Sequence, residues 1–256
     1  MDLTNLTISQ VKNLLQYKHI SNTLLSAMES DKRKGIQKLL VRYYREQDKT
    51  LKKQKKSEVM LSEERKLWSM GYTYLAGIDE AGRGPLAGPV VSACVILPKD
   101  CVLMGINDSK KLTSKKREEY FNVIMEKAVS VGIGIVDNNR IDRINIYNAT
   151  IEAMIHAVNK SKIKPDFLLL DAMKLNSIPI PQKSFIGGDA RSQTIAAASI
   201  IAKVTRDKIM IDFAKLYPEY GFDKHKGYAT KIHINAIRKY GYTPIHRTSF
   251  LTNILS

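Results

Sequence analysis

Apolar positions recur at helical spacing through the first 70 residues and change to strand spacing afterwards. Ile8, Val11, Leu14 and Leu15 fall on one helical face, with Thr7 or Ser9 placed to cap it. A second set comprises Ile20, Leu24, Leu25 and Met28. The segment 34–56 opens with Ile36, Leu39, Leu40, Tyr43 and Tyr44 and then turns almost wholly polar. Its lysines at 49, 52, 53, 55 and 56 predict an exposed basic helical end. Ser62-Glu63-Glu64 predicts the start of a last short helix, with acids in its first turn and Leu67, Trp68 and Met70 as its apolar residues. Strand signal is scarce here. The spacing predicts a small all-helical domain over residues 1–70, bounded near Gly71.

From Tyr72 the pattern predicts strands over 72–78 and 88–97, the second nearly continuous in apolar residues and so buried on both faces. A loop over 98–105 follows, then a helix capped by Thr113 or Ser114 and running to about residue 128. Residues 129–136 alternate with glycine as a third strand. Ile144, Tyr147, Ile151, Met154, Ile155 and Val158 mark an amphipathic helix over 141–160. Phe167-Leu168-Leu169-Leu170-Asp171 is a short buried strand ending on an acid, followed by a proline-rich hairpin or loop. Long helices are predicted over 194–216 and 230–240. Strands followed by alternating helices and strands predict an α/β domain over 71–256, a mixed sheet flanked by helices.

Charge sharpens this picture. The 256 residues carry a formal net charge of +16, an excess that favours a polyanionic partner, nucleic acid above all. Residues 1–70 hold 15 Lys and Arg against 8 Asp and Glu, a net +7 that predicts a nucleic-acid-binding arm. The two cysteines, Cys94 and Cys101, provide neither a disulfide framework nor metal-ligand spacing. The polar opening residues predict no signal peptide, and no apolar run approaches membrane-spanning length, so a cytoplasmic protein without a membrane role is expected.

The candidate chemistry centres on residues 74–89, YLAGIDEAGRGPLAGP. A buried strand runs into Asp79 and Glu80, and two carboxylates at a strand end suit a hard divalent cation. Gly82-Arg83-Gly84 follows, a turn that lets backbone N–H groups and a guanidinium approach a phosphate. Metal and phosphate cradle side by side suggest phosphodiester chemistry. Asp171 closes a second strand, and Asp189 precedes a helix. Neighbouring strands would bring these acids to one sheet edge. Adjacent strand residues point to opposite faces, so Asp79 and Glu80 are expected to share a site through a break in the strand, which Gly82 would supply. Any one of these acids alone has a commoner role capping a turn or helix.

Together these motifs resemble the ribonuclease HII family: Asp-Glu-Ala-Gly-Arg-Gly-Pro at 79–85, the strand-ending Asp171, Gly-Asp at 188–189 before Ile-Ala-Ala-Ala-Ser-Ile-Ile-Ala-Lys-Val-Thr-Arg-Asp at 195–207, and His225-Lys226-Gly227-Tyr228. The resemblance implies a ribonuclease H-like fold and hydrolysis of RNA in RNA–DNA hybrids, including incision at single ribonucleotides in duplex DNA and their removal from it. It implies Asp79, Glu80, Asp171 and Asp189 as catalytic ligands of two Mg²⁺ or Mn²⁺ ions, producing 3′-hydroxyl and 5′-phosphate ends. It further implies that Gly82, Arg83 and Gly84 read the 2′-hydroxyl, the group distinguishing RNA from DNA, and that Tyr228 stacks on the neighbouring deoxyribose. Lys110, Lys111, Lys203 and Arg206 are expected to contact backbone phosphates. His225 is expected to be a structural hydrogen bonder, and the protein a monomer. Gly187 stands where the family often has lysine, and residues 1–70 lie outside the shared catalytic core. The alternative from another class is a non-catalytic hybrid-binding protein, against which the presence of all four acids speaks.

Overall fold

The computed structural model describes residues 3, 5–15 and 20–252. Contacts within it divide the chain into two compact units, Met1–Lys56 and Ser57–Ser256. The first unit holds α1 (Ile8–Leu14), α2 (Asn22–Ser30) and most of α3 (Lys34–Val59). A reciprocal capping box starts α1: the Thr7 hydroxyl accepts from Gln10 N at 3.2 Å, and Gln10 Oε1 accepts from Thr7 N at 2.8 Å. Val11, Leu24, Met28, Ile36 and Leu40 bury the apolar faces of the three helices in one small core. Lysines 49, 52, 53, 55 and 56 are exposed, as the polar end of this segment predicts.

The second unit contains α4 (Ser62–Ser69), β1 (Leu75–Ala81), β2 (Val90–Ile96), α5 (Ser114–Lys127), β3 (Ser130–Val136), α6 (Asn138–Asn159), β4 (Phe167–Asp171), β5 (Gln182–Phe185), α7 (Gln193–Leu216), α8 (Phe222–His225) and α9 (Lys231–Tyr240). The strands form one sheet in the order β3-β2-β1-β4-β5. β1 pairs antiparallel with β2 and parallel with β4, placing the residues that follow Ile78 and Leu170 side by side. On one face, Ala196, Ala197 and Ala198 of α7 pack with Ala93 and Val95, small residues allowing close approach. On the other, Met154, Ala157 and Val158 of α6 cover Ala76, Ile78, Leu168 and Leu170.

Three features differ from the sequence pattern. The expected hairpin or loop after β4 contains a fifth strand, β5, whose largely polar run fits an edge position with few apolar neighbours. The helix expected over 141–160 is broken at Asn145 (φ 63°), whose Oδ1 accepts from Asn148 N at 3.0 Å. Finally, α4 clusters by contact with the second unit, its buried Glu64 bonded to Ser192 and Thr194 at the start of α7. Among the described residues no helix is long and apolar enough to cross a membrane.

Candidate active site

Asp79, Glu80 and Asp171 meet at the carboxyl end of the central strands, whereas Asp189 lies in the turn before α7 and is not among the cleft-lining residues. The β1–β4 pairing ends at Ile78↔Leu170, whereas β1 stays paired with β2 through Ala81↔Val91. Beyond that point β1 has a strand on one side alone, and both of its faces open into one cleft. Asp79 and Glu80 are still within β1, and the chain breaks from the strand at Gly82 (φ +95°), the position the sequence pattern gives for it. Asp171 closes β4 and lines the same cleft of about 490 Å³. Its Oδ1 accepts from Gly188 N at 2.8 Å, which ties it to the turn carrying Asp189. Gly187 enters that turn at φ +68°, a left-handed conformation that suits glycine.

Electrostatics distinguish these carboxyls from ordinary surface acids. Burial, then the charges of Glu80 and Asp171, push Asp79 well above the usual carboxylate range. Burial also raises Glu80, opposed by Arg83, whose Nη1 lies 3.4 Å from Glu80 Oε1. Asp189 is pushed up to about 6 by burial and by the charges of Asp108 and Asp171. In Asp79, Glu80 and Asp189 burial and the nearby charge of Asp171 both favour the protonated form, an imbalance that a cation would relieve.

That imbalance bears on whether the residues fit a metal ion. Glu80 Oε2 is buried with no hydrogen-bond partner. An all-carboxylate donor set with an unmatched buried oxygen suits a hard divalent cation. Among the described residues no three carboxylate, imidazole or thiol groups close around a single point. Mg²⁺ is bound through one or two carboxylates with waters and substrate oxygens as its other ligands, so an open row of acids can serve it.

The Gly82-Arg83-Gly84 turn flanks the row, and two buried arginines grip the loop it opens. Arg247 donates to the carbonyls of Gly82 (2.6 Å), Arg83 (2.9 Å) and Gly88 (2.8 and 2.9 Å). Arg206 donates to Pro89 O (2.9 Å), Ala87 O (3.0 Å) and Lys226 O (3.0 Å). A Cβ on residue 82 would stand 2.0 Å from Arg206 Nε, so this position needs glycine for closeness as well as for its φ. Arg206, expected to contact phosphate, is fully buried and engaged by carbonyls, so the structure makes it a brace of the loop.

The remaining expected contacts divide. Lys110, Lys203 and Tyr228 line the cleft. Lys203 Nζ pairs with Asp207 at 2.7 Å and lies 6.0 Å from the centre of the Tyr228 ring. Lys111 is exposed beside Asp108 (3.9 Å) and is not among the cleft-lining residues. His225 hydrogen-bonds the carbonyl of Tyr220 at 2.7 Å, in keeping with a structural role. Sequence reasoning missed Ser109 and Ser199, joined Oγ to Oγ at 3.0 Å in the cleft, and Asp108 beside Asp189. Asp108 opens the Asp-Ser-Lys-Lys run that supplied Lys110, so the acid could have been suspected from that adjacency.

Comparison with known proteins gives a consistent result. Residues 76–253 match the family model described as Ribonuclease HII, and residues 7–68 match that of the Ribonuclease HII N-terminal domain. Ribonuclease HII of Bacillus licheniformis is 48% identical over 249 residues, covering 97% of each chain. Among solved structures, ribonuclease H2 from Pyrococcus horikoshii superposes with a TM-score of 0.61 at 27% identity, over 70% of this chain and 96% of that one. A ribonuclease HIII solved in complex with Mn²⁺ shares the fold (TM-score 0.57, 19% identity, 72% of this chain and 68% of that one).

Proposed function

The chain belongs to the ribonuclease HII family, and from that premise we propose that its cleft incises duplex DNA at single embedded ribonucleotides. As a type HII ribonuclease H it is an endonuclease acting on RNA–DNA hybrids. The observation that carries the finer reading is the adjacency, in one cleft, of Asp79, Glu80 and Asp171 with the Gly82-Arg83-Gly84 turn and Tyr228. A metal-binding row lies beside a turn fit to read a sugar–phosphate unit.

In this reading Asp79, Glu80, Asp171 and Asp189 hold two Mg²⁺ or Mn²⁺ ions. Such ions, when bound, supply Lewis acidity at the scissile phosphate and at water, giving 3′-hydroxyl and 5′-phosphate ends. The chain's own residues select and orient the substrate. The carbonyls of Gly82, Arg83 and Gly88 are engaged by Arg247, so the turn meets a ligand with donors: backbone N–H groups and the Arg83 guanidinium. These donors suit a phosphate and the 2′-hydroxyl next to it. Tyr228, 42% exposed, offers a ring face for the following deoxyribose, and Lys110 and Lys203 lie where backbone phosphates would pass.

The basic helical region would hold the duplex by neutralising phosphates and do no chemistry. Ribonucleotide removal by a cytoplasmic monomer is the cellular role that follows. The test is incision of a DNA duplex containing one ribonucleotide, with Mg²⁺, Mn²⁺ or chelator. A nick mapped beside the ribonucleotide, abolished by chelator, is the expected result. Cleavage of long hybrids without incision at the lone ribonucleotide would refute the finer reading.

A further inference from the structure

Glu64 on α4 is fully buried, although it lies outside the segment that carries the site motifs. Its Oε1 accepts three hydrogen bonds, from Ser192 Oγ at 2.6 Å, Thr194 N at 3.1 Å and Thr194 Oγ1 at 3.1 Å. Its Oε2 is buried with no hydrogen-bond partner. Burying a carboxyl without a cationic partner is costly, and the three hydrogen bonds to Oε1 offset that cost. Here the carboxyl accepts from Ser192 and Thr194 at the start of α7, a helix end that favours an acid. What the acid does is fix the segment that leads into α7. The residues around it act on that same segment: Met60 O accepts from Gln193 N at 3.2 Å, and Ser57 O accepts from Gln193 Nε2 at 2.7 Å. Residues 57–64 thus hold Ser192, Gln193 and Thr194 in succession.

From Ser192 the bonds continue to the candidate site. Ser192 N donates to Gly188 O at 2.9 Å, and Gly188 N donates to Asp171 Oδ1 at 2.8 Å. Asp189 lies inside the turn closed by the first of these bonds. One bonded chain therefore runs from Glu64 through Ser192 and Gly188 to Asp171, with Asp189 carried on it. We propose that Glu64 is a positioning residue: through Ser192 it fixes the turn that aligns Asp171 and Asp189 for the reaction. The proposal rests on the reading of those two acids as catalytic groups. It assigns residues 57–64, which the family's N-terminal model includes, a part in the chemistry and not in duplex binding.

The experiment compares full-length wild type, Glu64→Ala, Glu64→Gln, Ser192→Ala and Asp171→Asn on the single-ribonucleotide duplex, with amide hydrogen exchange of each substrate-free protein. Glu64→Ala should lower kcat by about 10- to 100-fold with KM little changed, because acids misplaced by a fraction of an ångström react poorly. Glu64→Gln retains an oxygen able to accept all three bonds and should keep kcat within about threefold of wild type. Ser192→Ala cuts the chain while leaving Glu64 in place and should lower kcat as well. In the Ala variants, exchange should quicken by about tenfold over residues 186–192, with β2 and β3 unchanged. If Glu64→Ala does not fold, Ser192→Ala carries the same two readouts. Unchanged kcat and exchange in the Ala variants, exchange quickened throughout the unit, or Glu64→Gln as impaired as Glu64→Ala would overturn the proposal. Activity in Asp171→Asn would instead overturn the reading on which it rests.

Discussion

Arg247 donates through Nη2 to the carbonyl of Gly82 at 2.6 Å, joining the end of the chain to the first residue of the Gly-Arg-Gly turn. With Arg206 it grips five carbonyls of the 82–89 loop: Gly82, Arg83 and Gly88 from one guanidinium, Ala87 and Pro89 from the other. Burial lowers Arg206 to about 10 and Arg247 to about 9, yet both stay protonated at neutral pH. Arg247→Lys keeps a charge but loses the planar fork that reaches three carbonyls at once. It should destabilise the protein by about 2 kcal/mol, the cost of leaving buried acceptors unpaired. KM for the single-ribonucleotide substrate should rise too, and urea unfolding with steady-state kinetics measures both effects.

Substrate choice gives a second expectation. Replacing the 2′-hydroxyl at the cleavage position with hydrogen should abolish incision, since donors on the turn would be left unpaired. Tyr228→Ala should slow incision at a lone ribonucleotide by about 10-fold or more, from a stacking contribution of about 1–3 kcal/mol. Gel-based cleavage of matched duplexes is the check, and an unimpaired Tyr228→Ala would remove the junction-sensing role from that ring.

The two buried histidines behind Tyr228 predict a pH dependence of stability. His246 Nδ1 accepts from Thr243 N at 2.8 Å, which places its proton on Nε2, facing His233 Nε2 at 3.0 Å. His233 then donates through Nδ1 to the carbonyl of Tyr228 at 3.0 Å. Protonating either ring sets two N–H groups against each other, and burial already lowers both to about 4 from an ordinary 6.5. The unfolded chain therefore binds more protons between those values. Stability is whole well above pH 6.5 and falls as pH drops toward 4, by about 1.5 kcal/mol per histidine between pH 6.5 and 5. Denaturant titrations at several pH values should show this slope, and replacing both histidines with glutamine should reduce it, leaving the share of His225, which burial also lowers.

Much of this architecture was legible in the chain. β1, β2 and β4 announce themselves because they are buried on both faces, and the acids because they end such strands. β5 was hidden by its polar Gln182-Lys183-Ser184 run, the composition of an edge. Arg206 was misread because a charged residue on a helix is normally solvated, and only packing reveals that carbonyls replace water around it. Glu64 reads from the sequence as a first-turn helix acid, and its partners lie 128 and 130 residues away. Pairings at that separation leave no local trace.

The basic helical unit gives a fourth expectation, with the cut placed by the contacts. Residues 57–70 belong to the second unit, so removal of 1–56 is the clean truncation. It should weaken hybrid binding and flatten the salt dependence by about 0.9 log unit per lost phosphate contact. The single-turnover rate at saturating enzyme should stay near that of the full chain, with circular dichroism confirming the fold. Equal affinity and equal salt slope would make the basic helices a solvated surface.

The account stands on the acid row, and one measurement addresses it directly: single-turnover incision of the one-ribonucleotide duplex by Asp79→Asn and Asp171→Asn, with substrate affinity measured separately. If these acids hold the ions that stabilise phosphate charge, removing one carboxylate should slow the reaction by about 10³-fold or more. Affinity for the duplex should persist, because phosphate contacts elsewhere supply it. Either variant incising at the wild-type rate, with affinity intact, would contradict the assignment of these acids.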